Sequence, residues 1–234
     1  MKAVIVADGD VQGRHSQFHS VLDAGLLDPD ADGPPLVIAA DGGAIKAELV
    51  GLVPDLVVGD ADSLTPQAIE RLRGRGIEVR VHPQDKSESD TELCLREAVH
   101  RGATQVVILG ALGGLRFDHA LANLLLLTLP ELTGREVVLA DATTSVRVMG
   151  SRSPDLLHLH GAPGDIVSLL PLTEVVNGVQ TTGLAYPLAG EQLRQGPARG
   201  LSNVMHVDGA TISIDGGRLA VIHSRPQPAV RVDA

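Results

Sequence analysis

The chain has 234 residues, 29 acidic against 19 basic side chains for a formal charge of −10, and 44% hydrophobic against 21% charged residues. That balance suits a globular protein with its own core and argues against a grip on the phosphate backbone of a nucleic acid, which needs concentrated positive charge. One cysteine, Cys94, excludes an internal disulfide and a thiolate metal cage; with only Phe18, Phe117 and Tyr186 as aromatics, the core must be built from Val, Leu, Ile and Ala.

The N-terminus, Met1 to Asp8, turns polar too early for a secretory signal, and the longest apolar stretch, Leu121–Leu129, is interrupted by Asn123 and Thr128. It falls well short of the roughly 20 residues that span a bilayer. A cytoplasmic protein without a membrane partner is expected. Short apolar runs at Ala3–Ala7, Leu36–Ala40, Leu56–Val58, Ile77–Val81, Val106–Leu109 and Val137–Ala140 predict strands, with stretches long enough for helices between them. Continuous rather than alternating runs predict strands covered on both faces, hence a mostly parallel sheet flanked by helices over residues 1–143. Asp28–Pro35 reads as a surface loop. Ser89–Arg101 is the best helix: Ser89 and Glu92 have capping-box spacing, Cys94, Leu95, Ala98 and Val99 form an apolar face, and Gly102 stops it. A second helix is predicted from Asp118 to Leu129, ended by Pro130.

From residue 144 the texture changes. Short, partly alternating runs at Ser145–Met149, Leu156–His160, Ile166–Leu170, Val175–Thr181, Thr211–Ile214 and Arg218–His223 are separated by Gly and Pro. They predict an antiparallel β domain over 144–223, with a hairpin turn at Asp215-Gly216-Gly217 and a loose tail over 224–234.

The position of the aspartates carries chemical information. Asp8, Asp41 and Asp60 fall at or just past predicted strand ends, Asp85 lies four residues after Val81, and Asp118 lies beyond Leu109. In an open α/β sheet the carboxyl ends of the strands form one ligand-binding rim. Each acid alone fits an ordinary turn or helix cap. Grouped, as in Asp60-Ala61-Asp62-Ser63 and Asp85-Lys86-Ser87-Glu88-Ser89-Asp90, they call for a compensating cation, and hard oxygen donors point to Mg²⁺ beside substrate phosphates. Neither a G-x-x-x-x-G-K-[ST] loop nor a G-x-G-x-x-G after the first strand is present. Any phosphates must therefore be held by metal, Lys86, Arg116 and the backbone of Gly110-Ala111-Leu112-Gly113-Gly114.

Taken together, these segments resemble the thiamine pyrophosphokinase family across most of the chain. The matching motifs are Asp41-Gly42-Gly43-Ala44, Gly59-Asp60-Ala61-Asp62-Ser63, Asp85-Lys86 through Ser89-Asp90-Thr91-Glu92, and Gly113-Gly114 with Arg116-Phe117-Asp118-His119 and Asn123. In the second half they are Gly183-Leu184 with Tyr186-Pro187-Leu188, and Arg199-Gly200-Leu201-Ser202-Asn203. The resemblance implies pyrophosphoryl transfer from ATP to the hydroxyethyl oxygen of thiamine, giving thiamine diphosphate and AMP. It also implies Mg²⁺, a C-terminal β-sandwich that binds thiamine, and a homodimer with active sites near the subunit interface. On it, Asp60, Asp62 and Asp90 are the expected metal ligands. Asp41, Gly42, Lys86, Ser89, Gly113, Gly114, Arg116 and Asp118 line the nucleotide and phosphate region, and Ser202 and Asn203 lie near the thiamine. Asp118 and Asp90 both stand as acceptors of the hydroxyl proton.

The chain departs from the family pattern at Leu115, inserted before Arg116, at Ser89 where threonine is common, and at Val204 where an acid is frequent. Two alternatives accompany this reading: pyrophosphoryl transfer to another small alcohol such as a hydroxymethylpterin, and a catalytically silent thiamine or nucleotide sensor. Cys94 is expected to be buried, Tyr186 to pack at a hairpin, and His158 and His160 to be surface or strand-end residues.

Overall fold

The structure is a computed structural model that describes residues 1–11, 26–27, 33–60, 65–83, 85–114, 116–150 and 155–226. It divides into two compact units, Met1–Ala142 and Thr143–Ala234.

The described residues of the first unit carry six strands: β1 (Lys2–Val6), β2 (Leu36–Ala40), β3 (Leu56–Asp60), β4 (Glu78–His82), β5 (Gln105–Leu109) and β6 (Glu136–Ala140). All pair in parallel, in the order β6-β5-β1-β2-β3-β4. Continuous Val, Ile, Leu and Ala runs make this arrangement stable: every residue of β1 is buried, as are Val106 to Leu109 of β5. The chain steps outward from β1 to β4, then returns to place β5 on the other side of β1. The gap between the ends of β1 and β5 is therefore the topological switch point, where open α/β sheets bind ligands.

Among the described residues four helices follow strands: α1 (Gly43–Leu49), α2 (Pro66–Gly74), α3 (Asp90–His100) and α4 (Phe117–Leu126). For α2, Thr65 accepts the amide of Ala68 at 3.2 Å and Pro66 opens the first turn. Ser89 caps α3 by accepting the Glu92 amide at 3.2 Å, and Thr91, Cys94, Leu95 and Ala98 form its buried face. The side chain of Glu92 turns to Arg96 at 3.0 Å, so the cap uses one half of the predicted box. The last predicted helix begins one residue earlier and ends three earlier than expected. Leu129 must be extended before Pro130 (φ −59°, ψ 135°), and the preceding residues close in tighter i→i+3 turns.

The second unit is a sandwich of two antiparallel sheets. One has the order β12-β9-β14-β7, from β7 (Thr144–Met149), β9 (Ile166–Pro171), β12 (Asn203–Val204) and β14 (Leu219–Ser224). The other is β11-β10-β13-β8, from β8 (Asp155–Leu159), β10 (Val175–Thr182), β11 (Ala189–Arg194) and β13 (Ala210–Ile214). Alternating side chains from both sheets meet in one core, including Val167 and Leu169 of β9, Ile212 and Ile214 of β13, and Leu219 and Val221 of β14.

The hairpin predicted at Asp215-Gly216-Gly217 does not form. β13 pairs with β8 and β10 whereas β14 pairs with β7 and β9, so this step carries the chain from one sheet to the other. The crossing is held by Asn177 and Gly216, whose backbones pair, with the Asn177 amide donating to Gly216 O at 2.9 Å. Cys94 is buried as expected, while Tyr186 is 66% exposed rather than packed. His158 and His160 are both exposed on or next to β8.

Candidate active site

Five of the strand-end loops of the first unit bear the residues singled out in the sequence. At the switch point the loop after β1, Asp8-Gly9-Asp10, lies directly against the loop after β5. A Cβ on Gly9 would stand 2.0 Å from Gly110 O and 2.7 Å from Gly113 O, and the amide of Asp10 reaches Gly113 O at 3.4 Å. Gly110, in a left-handed conformation (φ 67°), brings its own backbone within a Cβ's 2.7 Å of Ala7 O. A Cβ at Gly9 or Gly110 does not fit here, so the two loops meet backbone to backbone at the switch point. Gly113 and Gly114 are exposed there, and buried Asn123 of α4 fixes the loop by donating to Ala111 O at 3.1 Å.

The loop after β2 approaches from the other side. Asp41 adopts φ 53°, its amide donates to Val58 O at 2.7 Å, and a Cβ on Gly42 would stand 2.5 Å from the carboxylate of Asp8. Asp60 is half-buried as the last residue of β3, in register with His82. Asp62 lies outside the described residues, as does Leu115. Beyond β4, Lys86 forms an ion pair with Asp90 on the first turn of α3. The hydroxyl of Ser89 is engaged in the helix cap.

Beyond β5, Arg116 grips Asp118 in a fork: Nε donates to Oδ1 at 2.9 Å and Nη2 to Oδ2 at 2.5 Å. The guanidinium holds the Asp118 carboxyl down to about 2, so this group is an anion at any physiological pH. Asp118 occupies the first turn of α4, where a negative charge is also favoured by the helix dipole. Acids from the ends of β2, β3 and β4, basic groups after β4 and β5, and glycine backbone at the switch point thus share the carboxyl rim of one sheet.

Sequence reasoning passed over Lys46. One turn into α1, its ammonium donates to the carbonyl of Asp8, to Gly9 O at 2.6 Å, and lies 3.1 Å from Asp8 Oδ1. The spacing of a lysine four residues after Gly42 was visible; the fold-back onto the β1 loop depends on β1 and β2 being neighbours.

In the second unit, Ser202 and Asn203 form part of a knot of chain. Ser202, at φ 57°, donates its amide to Ser168 Oγ at 3.0 Å and leaves its side chain exposed. Asn203 is buried, and its amide group is satisfied within the protein. Nδ2 donates to Tyr186 O at 2.6 Å, while Oδ1 accepts the amides of Tyr186 at 3.0 Å and Val204 at 2.9 Å. The Asn203 side chain therefore shapes the Tyr186 turn, and Ser202 and Tyr186 are the parts of this knot that face outward.

Comparison with known proteins places both units in one family. The family model described as thiamin pyrophosphokinase, catalytic domain, matches residues 31–139, and the one described as thiamin pyrophosphokinase, vitamin B1 binding domain, matches residues 157–219. A thiamine pyrophosphokinase of Bacillus subtilis is 27% identical over 189 residues, covering 81% of this chain and 87% of the relative. The crystal structure of thiamine pyrophosphokinase from Bacillus subtilis superposes with a TM-score of 0.78 at 25% identity, covering 97% of this chain and 100% of that one. A thiamin pyrophosphokinase family protein from Enterococcus faecalis gives 0.75 at 26% identity, with coverage of 97% and 100%. Two adjoining domain matches on a shared architecture, with the acidic motifs at the strand ends, establish that the chain belongs to the thiamine pyrophosphokinase family.

Proposed function

We propose that this protein transfers the pyrophosphoryl group of ATP to the hydroxyethyl oxygen of thiamine, releasing AMP. The single observation that carries the reading is the match of both units to the catalytic and vitamin B1 binding domains of one family. In this reaction the alcohol oxygen attacks the β-phosphorus, the bond from that phosphorus to the bridging oxygen of AMP breaks, and the hydroxyl proton passes to a rim carboxylate or water. Such transfers ask the protein for alignment and charge compensation rather than covalent chemistry.

The glycine backbone of residues 110–114 and the fixed charges of Lys86 and Arg116 would hold the phosphates. Asp41 and Gly42 close the crevice on the β2 side. We assign Asp118 the task of orienting Arg116, since a carboxylate held to about 2 is a poor proton acceptor and a good partner for a guanidinium. Asp90 is itself held by Lys86 and counted among the metal ligands, so the hydroxyl proton passes to water or to whichever rim carboxylate the substrate leaves open.

Among the described residues no three His, Cys, Asp or Glu side chains gather at one point. In phosphoryl transfer Mg²⁺ takes one or two carboxylates and completes its shell with water and substrate phosphates. Asp60 and Asp90, both half-buried with hard oxygen donors, fit such an ion, and Asp62 belongs to the same proposal. Bound there, Mg²⁺ would offset charge on the β- and γ-phosphates. Ser202, exposed in the second unit, is the side chain we assign to contact the pyrimidine of thiamine, with Asn203 holding the turn beside it. No helix among the described residues is long and apolar enough to cross a membrane; a cytoplasmic homodimer, with the active site near the subunit interface, completes the proposal.

The test is product analysis with ATP, Mg²⁺ and either thiamine or 6-hydroxymethylpterin. AMP formed in step with thiamine consumption is expected. AMP formed only with the pterin would move the activity to another alcohol, and thiamine binding without AMP would identify a sensor.

A further inference from the structure

We propose that Lys46 is a positioning residue for the nucleotide phosphates: its ammonium pins the Asp8-Gly9 loop to α1 and so fixes the backbone wall of the crevice between β1 and β5. The inference rests on reading that crevice as the phosphate site. An ordinary surface ion pair of Lys46 with Asp8 would contribute little, since the two side chains are 27% and 58% exposed. The distinguishing feature is that two backbone carbonyls, those of Asp8 and Gly9, accept from the same ammonium.

Those carbonyls belong to a loop with no slack. Gly9 abuts Gly110 and Gly113, Ala7 donates its amide to Leu109 O at 2.8 Å, and the carboxylate of Asp8 lies over Gly42. The ammonium thus sits on one side of the loop and the Gly110–Gly114 segment on the other. Removing it leaves both carbonyls without their cation and loosens the loop on its α1 side, where the weak Asp10 amide contact to Gly113 O is the first to lengthen. The backbone groups that would meet phosphate oxygens then lose their shared alignment, while the second unit is untouched. A lysine that serves only stability would lower the melting temperature and leave nucleotide affinity alone.

The experiment is isothermal titration of the 234-residue protein with α,β-methylene-ATP, which cannot transfer its pyrophosphoryl group, alongside steady-state kinetics with ATP and thiamine. Lys46→Met should weaken analogue binding and raise KM for ATP by about tenfold, the loss expected when a charge-assisted contact that orders a binding loop is removed. KM for thiamine should stay within about twofold, and Lys46→Arg should recover most of the ATP affinity. Gly9→Ala, which disturbs the same loop from the opposite side, should add little to Lys46→Met in the double variant. Unchanged analogue affinity in Lys46→Met, parallel rises in both KM values, or full additivity with Gly9→Ala would each overturn the proposal. Should Gly9→Ala not fold, the Met and Arg variants decide it. A wild-type protein that binds the analogue yet makes no AMP from thiamine would refute the acceptor assignment and leave the titration arm intact.

Discussion

Replacing Asn203 by alanine removes three hydrogen bonds at once: one donated to Tyr186 O, and two accepted from the amides of Tyr186 and Val204. The side chain is buried, so the orphaned backbone groups do not all regain water. At about 1 kcal/mol for each bond, the loss is about 3 kcal/mol, and it grows if the amides stay desolvated. For a chain of 234 residues that corresponds to a fall of roughly 6–12 °C in Tm. Asn203→Asp keeps the acceptor for both amides but turns an anion toward Tyr186 O, so an intermediate loss is expected. Urea unfolding of the three proteins, monitored by circular dichroism with equal slopes, measures the series directly. A loss under about 1 kcal/mol in the alanine variant, combined with a large rise in KM for thiamine, would refute the reasoning and place the amide on the substrate.

Three other outcomes follow from the same geometry. The Asp118 carboxyl is expected to titrate near 2 by carbon-detected NMR, and Arg116→Gln should return it toward 3.8. Because the folded value is the lower one, the stabilisation from this pair is complete above about pH 4 and fades as pH falls toward 2. Gly43→Ala would place a Cβ 2.1 Å from Val6 O, a backbone atom in the centre of the sheet, and should cost about 1–3 kcal/mol by urea unfolding. The thiol of Cys94 is fully buried and its pKa is pushed up by that burial, so it should resist a disulfide reagent at neutral pH in the native state and react promptly in denaturant.

The parallel sheet was legible because its strands are unbroken apolar runs, and α3 because its cap, buried face and terminating glycine agree. The strand β11, Ala189–Arg194, escaped because only Leu193 of its six residues is buried. It exists as an edge strand by pairing with β10. The two-residue β12 carries no periodicity at all. Asp215-Gly216-Gly217 reads locally as a hairpin, and only long-range pairing of the flanking strands reveals a change of sheet. At the site, the acidic loops could be read from strand ends, since each side chain's rim position follows from its place in the chain. The roles of Lys46 and Asn203 could not, because each acts on backbone brought near by tertiary structure: the β1 loop for Lys46, and the Tyr186 turn, 17 residues away, for Asn203.

The most direct test of the account is phosphorus NMR of a reaction mixture containing this protein, ATP, Mg²⁺ and thiamine. Transfer of both terminal phosphorus atoms as one group predicts a new pair of mutually coupled doublets on thiamine and a single AMP resonance. A thiamine product with one phosphorus, accompanied by ADP, would contradict it.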